Sequence, residues 1–244
     1  MGDLEGKTAW VTGSAKGIGR ALAIELARQG CKVAVHYRNS RVLAEKVAQK
    51  VERHSGHAIV LQSELTEPDE VRSNIKTIKS CWKRLDIVIN NAGDYLNRPL
   101  DRITPETFHR YSRGSLEPAV NVSLLALPLM RKAGWGRIIN LGYIFADRLV
   151  GNPNVAAYHV GKTGLLAFTY SLARVAARWG ITVNMISPGM NENTVNKPKD
   201  PASFIPAGRL GKNSDLANAV MFLVRNDSDY VTGTHVKVSG GLWI

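Results

Sequence analysis

Short apolar runs alternate with segments whose apolar residues recur at helical spacing, and this alternation repeats from one end of the chain to the other. Thr8–Val11, Cys31–Tyr37, Ala58–Gln62, Leu85–Ile89, Gly136–Gly142, Thr182–Ile186 and Val236–Val238 predict seven buried strands. Between them lie helical stripes. Arg20–Ala27 predicts a helix ending at Gly30, Ser40 caps one through Leu43, Val47 and Val51 to Gly56, and Pro68-Asp69 opens one carrying Val71, Ile75 and Ile78. Thr104-Pro105-Glu106 is a strong helix start, and Pro118 and Pro128 within that helix predict a kink or a break. Tyr158 to Ala176 and the segment opened by Ser214-Asp215 complete the set. Strands that alternate with helices in this way predict an α/β fold, a doubly wound parallel sheet with helices on both faces and ligands at the strands' carboxyl ends.

The first strand runs into Thr12-Gly13-Ser14-Ala15-Lys16-Gly17-Ile18-Gly19, and a helix follows. Glycines there let the backbone turn tightly and approach a ligand, while the free N–H groups and dipole of the helix start favour a pyrophosphate. The loop therefore predicts dinucleotide binding on a Rossmann-type sheet, although its Gly-x-x-x-Gly-x-Gly spacing differs from Gly-x-Gly-x-x-Gly. The second strand ends in His36-Tyr37-Arg38-Asn39-Ser40, with no carboxylate. An acid at that point would bind the ribose 2′-hydroxyl of NAD, whereas a basic cluster accommodates the 2′-phosphate of NADP. Arg38, with Lys16 from the glycine loop, accordingly predicts NADP(H).

Composition narrows the classes. With 244 residues, 44% of them hydrophobic, the chain can bury the core of a single domain spanning 1–244. No apolar stretch approaches the roughly 20 residues of a membrane span, and the start lacks a signal-peptide core, so a cytoplasmic protein is expected. The formal net charge of +12 invites a nucleic-acid reading, but the basic residues are scattered and lack interleaved aromatics. A solvated basic surface that steers an acidic partner is expected instead. Cys31 and Cys81 form no paired motif, and of the six histidines only His54 and His57 have a ligand-like spacing, so no metal is expected.

The chemistry centres on Tyr158 and Lys162, which share a helix face at i, i+4. An ammonium beside a phenol favours the phenolate and lowers the phenol's pKa, which makes Tyr158 a plausible proton donor to a carbonyl. Together with the glycine loop and Asn90-Asn91-Ala92-Gly93 about 75 residues later, Tyr158-x-x-x-Lys162 resembles the short-chain dehydrogenase/reductase family over nearly the whole chain. The resemblance implies that Glu64-Leu65 lie along the adenine, that Asn91, Ala92 and Gly93 form the floor of the nucleotide site, and that Lys162 also orients ribose. It further implies that Pro188-Gly189 meet the nicotinamide carboxamide, with Asn193 or Thr194 as the side-chain contact. Residues 191–208 read as a substrate lid, the tail Leu242-Trp243-Ile244 as a packed segment near a subunit contact, and the assembly as a homotetramer.

Two positions depart from the family pattern. Where members carry a serine after the fifth strand this chain has Tyr143, and where they carry a water-holding asparagine it has Ser115. The interval from Tyr143 to Tyr158 is also about two residues longer than usual. Tyr143 is the expected oxyanion donor, with Asp147 as another candidate if the loop folds back, and Ser115 is the expected water holder, with Asn121 two turns away. The resemblance is greatest to 3-oxoacyl-(acyl-carrier-protein) reductases acting on a small or carrier-bound carbonyl. Two alternatives stand beside it: a pteridine reductase, suggested by His36 to Ser40 and the missing serine, and a dinucleotide-binding protein with little turnover.

Overall fold

A computed structural model describes residues 4–194 and 197–243; of the expected lid and tail, Val195, Asn196 and Ile244 lie outside the described residues. The seven strands are β1 (Thr8–Val11), β2 (Lys32–Tyr37), β3 (Ala58–Gln62), β4 (Ile87–Asn90), β5 (Gly136–Leu141), β6 (Ile181–Pro188) and β7 (His235–Val238). They pair in the order β3-β2-β1-β4-β5-β6-β7, every neighbour parallel. The intervening helices are α1 (Gly17–Arg28), α2 (Arg41–Ser55), α3 (Pro68–Trp82), α4 (Pro105–Ala133), α5 (Ala156–Ala176) and α6 (Asn213–Val224).

The strands read as unbroken apolar runs because both faces of the sheet are covered. Ala9, Val11, Val33, Val35, Ile87 and Ile89 face a core shared with α1, α2 and α6. Trp10, Ala34, Val88 and Ile138 point the other way, into a core built with α3, α4 and α5. One residue of register slip would exchange the two sets. The chain winds in one direction from β1 to β3 and in the other from β4 to β7, so the carboxyl ends of β1 and β4 diverge and open a crevice.

The predicted break in α4 does not occur. The helix runs unbroken through Pro118 and Pro128. Proline at 118 has no N–H to offer the carbonyl four residues earlier, and that carbonyl, on Gly114, instead accepts the N–H of Asp94 at 3.2 Å. The lost helical bond thus becomes a tether for the segment that leaves β4. Other boundaries shift slightly. Helix α1 begins at Gly17 rather than Arg20, and β4 begins at Ile87, preceded by Asp86, whose carboxylate accepts the N–H of Thr8 and pairs with Arg84. Ser40 is the N-cap residue of α2, but its side chain makes no capping bond. The last helix starts at Asn213, and Asp215 accepts the N–H of Lys212 at 2.8 Å.

Candidate active site

The crevice above β1, β4 and β5 holds two adjoining cavities. The larger, about 470 Å³, is lined by Gly13, Lys16, His36, Arg38, Asn39, Ser40, Glu64, Leu65, Asn91, Ala92 and Gly93. The smaller, about 130 Å³, is lined by Ile18, Asn91, Gly93, Tyr95, Leu141, Gly142, Tyr158, Lys162 and Pro188. Two peptides from β4's end, those of Asn91 and Ala92, donate to Thr12 Oγ1 at 3.0 Å, and Asn91 Nδ2 donates to the carbonyls of Thr12 and Gly13. The end of β4 and the glycine loop are thereby locked together.

The residues present fit a dinucleotide. Helix α1 starts with no side-chain cap and no acid in its first turn, so its first N–H groups take no side-chain partner, and Lys16 and Ile18 at its start line the two cavities. A Cβ on Gly19 would lie 2.7 Å from the carbonyl oxygen of Gly13, so only glycine keeps the loop against the helix. Gly17 has φ of +57°, a left-handed conformation that glycine adopts without strain. Such a concave, donor-rich helix start suits a pyrophosphate.

His36 and Ser14 act as internal pins. The His36 ring is buried; its Nδ1 accepts the N–H of Gly13 at 3.0 Å, and its Nε2 lies 3.1 Å from Ser63 Oγ. Accepting at Nδ1 places the ring's proton on Nε2, and burial holds its pKa down at about 4. Ser14 donates to the carbonyl of Val11 and accepts the N–H of His36, so its hydroxyl faces β2 rather than the crevice. A pH effect follows. The unfolded chain takes up a proton on His36 below pH 6.5 while the folded one resists it to about 4. Stability present above 6.5 is lost as pH falls through that window, by about 3 kcal/mol from this group. Urea titrations at pH 7 and pH 4.5 are expected to show a smaller loss in His36→Gln than in the wild type.

Arg38 has partners that its place at the end of β2 did not foretell. Its guanidinium lies 3.2 Å from both Glu64 and Asp94, and its own pKa is raised, most of all by the bond to Asp94. Asp94 reaches it because Gly114 has no Cβ; one there would stand 2.8 Å from Asp94 Oδ2. The larger cavity is therefore not free of acids, since two arrive from the ends of β3 and β4 to neutralise a cation at the end of β2. No sequence spacing could have announced that meeting, which α4 arranges by holding Asp94's N–H.

At the other end, Lys162 is buried and donates to the carbonyl of Leu141 at 2.6 Å, with further N–H donors left for a ligand. Burial lowers its pKa to about 8. Tyr158 Oη has no hydrogen-bond partner among the described residues, and its ring packs edge-on against Tyr95 at 5.0 Å and Tyr143 at 5.3 Å. Here an expectation is corrected: the Tyr158 pKa is raised, not lowered, by burial first and then by the neighbouring Tyr143 and Tyr95. The Lys162 ammonium stands 5.7 Å from the ring centroid and spends a donor on Leu141 instead. The phenol keeps its proton throughout the neutral range, as a proton donor must.

The remaining predicted residues are placed as follows. Tyr143 is half-buried between Tyr158, Phe145 and His159, with burial raising its pKa to about 12. Ser115 is buried, and its hydroxyl lies 2.8 Å from the carbonyl of Asp94 and 2.7 Å from that of Tyr111, so it ties α4 to the segment after β4. Asn121 donates to the carbonyl of Leu65. Gly189 packs on Ser239, where a Cβ would meet backbone at 2.7 Å, and Thr194 Oγ1 accepts the N–H of Asn191. Beyond the smaller cavity, Trp243 stacks on Phe145 at 4.9 Å and, with Met190, Phe204 and Leu242, lines an apolar groove of about 540 Å³. Asp94 and Tyr95, which line the cavities, and Phe145 and Asn152, which touch Tyr143, were missed by sequence reasoning; only the position of Asp94 directly after the glycine of Asn-Asn-Ala-Gly carried a hint.

Among the described residues no helix is long and apolar enough to cross a membrane, and no cluster of acidic, histidine and cysteine side chains is set to hold a metal. The family model described as enoyl-(acyl carrier protein) reductase matches residues 13–243. The chain is 36% identical to the 3-oxoacyl-(acyl-carrier-protein) reductase of Haemophilus influenzae, over 99% of this chain and 100% of the relative. It is 34% identical to the enzyme of the same name from Escherichia coli K12, over 99% of each. A solved structure, the "putative short-chain alcohol dehydrogenase from Sinorhizobium meliloti 1021", superposes with a TM-score of 0.91 at 31% identity, over 98% of this chain and 97% of that one. Fold, crevice, the Tyr158–Lys162 pair and these likenesses lead to one conclusion: the chain belongs to the short-chain dehydrogenase/reductase family of oxidoreductases.

Proposed function

We propose that this protein is an NADPH-dependent carbonyl reductase acting on 3-oxoacyl thioesters of the carrier-bound kind. The observation that carries the proposal is Tyr158, a protonated phenol whose hydroxyl has no hydrogen-bond partner among the described residues, on the wall that it shares with Lys162 in the smaller cavity. When bound, NADPH supplies the hydride. Lys162 holds ligand hydroxyls through the donors that Leu141 does not use. Tyr158 gives its proton to the carbonyl oxygen as that oxygen takes on negative charge. The Tyr143 hydroxyl offers a second donor to the same oxygen.

Preference for the phosphorylated cofactor rests on Arg38 and Ser40, which line the larger cavity together with Lys16. Glu64 and Asp94 compete for Arg38, but these are solvent-accessible pairs worth about 0–1 kcal/mol each. A 2′-phosphate with nearly two charges and several acceptor oxygens displaces them. The apolar groove at Phe204 and Leu242 suits an acyl chain, and the basic surface suits an acidic carrier.

A second reading draws on the rings of Tyr95 and Tyr158 in the smaller cavity, packed edge-on and backed by Tyr143, which suit a planar pterin. Steady-state oxidation of NADPH and NADH with acetoacetyl thioester and with quinonoid dihydropterin separates the readings. Turnover of the thioester with NADPH at least about tenfold faster than with NADH is expected, and Arg38→Ala is expected to erase that preference. Equal use of both cofactors would remove the NADPH assignment, and turnover of the pterin alone would replace the substrate class. NADPH binding without turnover of any carbonyl would leave a binding protein.

A further inference from the structure

Loop 142–155 joins β5 to α5 and carries both Tyr143 and, nine positions later, Asn152. Asn152 Nδ2 donates to Tyr143 Oη at 3.2 Å. A phenol oxygen has two lone pairs and one proton, so a donor on one side turns the proton to another. Among the described residues that proton meets no acceptor. The ring is packed on three sides. Tyr158, Phe145 and His159 clamp it edge-on at 5.3, 5.4 and 5.5 Å, and His159 is anchored in turn by Nε2 to the carbonyl of Phe145 at 2.9 Å. The freedom left to Tyr143 is rotation of its O–H bond, and Asn152 governs that rotation.

We infer that Asn152 is a positioning residue that sets the Tyr143 hydroxyl as a hydrogen-bond donor to the substrate carbonyl oxygen, in the role that serine fills elsewhere in the family. The amide suits the task because it is neutral and offers its N–H group. A carboxylate at the same place would accept from Tyr143 and draw the proton away from the substrate. Lengthening of the loop, on this account, supplies the residue that makes a bulky phenol work where a small hydroxyl normally stands. The inference rests on the carbonyl reductase reading and is tested so that the two fail separately.

Single-turnover NADPH oxidation with acetoacetyl thioester is compared in the wild type, Asn152→Ala, Asn152→Asp, Tyr143→Phe and the double variant Asn152→Ala/Tyr143→Phe. Loss of one such donor costs about 10²–10³ in rate, which is the loss expected for Tyr143→Phe. Asn152→Ala is expected to lose about tenfold, Asn152→Asp to approach Tyr143→Phe, and the double variant to be no slower than Tyr143→Phe, since Asn152 acts only through that hydroxyl. NADPH affinity should not change. In protein labelled at tyrosine Cζ, Asn152→Ala should move the Tyr143 resonance, identified by its absence in Tyr143→Phe, and leave the other tyrosines in place. Multiplying losses in the double variant, an Asn152→Asp as fast as wild type, or an unmoved resonance would overturn the inference. A wild type that reduces no carbonyl would overturn the reductase reading and this role with it, even with the resonance shifted.

Discussion

Gly19→Ala is expected to weaken NADPH binding by at least about 10²-fold, close to 3 kcal/mol, while the chain still folds. The cause is space. A Cβ on Gly19 would stand 2.7 Å from the Gly13 carbonyl oxygen, 2.5 Å from Asn91 Nδ2 and 3.0 Å from the Cα of Ser14. Two of these are backbone atoms, which cannot turn aside as a side chain can. Asn91 also bonds the carbonyls of Thr12 and Gly13, so forcing it outward spreads the glycine loop from β4. The N–H groups at the start of α1 would then no longer converge on a pyrophosphate. Gly17 makes a useful contrast. A Cβ there meets nothing nearer than Asn193 at 3.8 Å, so Gly17→Ala adds only the strain of φ +57°. Calorimetric titration with NADPH, paired with a thermal unfolding scan, checks the prediction. Full affinity in Gly19→Ala would mean that the ligand does not sit at this helix start.

The architecture was legible because β1, β2, β4, β5 and β6 are buried on two faces. Runs such as Lys32–Tyr37 and Gly136–Leu141 declare themselves without reference to distant residues. The glycine loop was equally plain, since tight turns and close approaches demand a residue with no side chain. What stayed hidden depends on contacts between remote segments. Nothing near Arg38 in the chain indicates that Glu64 and Asp94 reach it, for both are delivered by other strands. Pro118 read as a helix breaker, yet the carbonyl it releases is satisfied by the N–H of Asp94, and the helix continues. The pair at Tyr158 and Lys162 was located by spacing, but its electrostatics were not. Burial, a property of the whole fold, sends the phenol's pKa up and the ammonium's down. Ser14, His36 and Ser115 illustrate a third limit: position beside a ligand loop does not tell whether a polar side chain faces the ligand or the scaffold, and in these three it faces the scaffold.

The account turns on one oxygen atom. Tyr158→Phe removes the hydroxyl and leaves the ring, so the edge-on packing against Tyr95 and Tyr143 is kept, the larger cavity is unchanged and the smaller one loses a single atom. Lys162 keeps its bond to the Leu141 carbonyl, and the glycine loop is untouched. Cofactor affinity should therefore stay within about twofold of wild type, whereas the proton donated in the transition state is gone; general acids of this kind contribute about 10²–10⁴ in rate. The most direct measurement is NADPH oxidation in a single turnover of Tyr158→Phe with acetoacetyl thioester, alongside an NADPH titration of the same preparation. A rate about 10³-fold below wild type at unchanged affinity is the predicted result. A variant that reduces the thioester within tenfold of the wild-type rate would contradict the account.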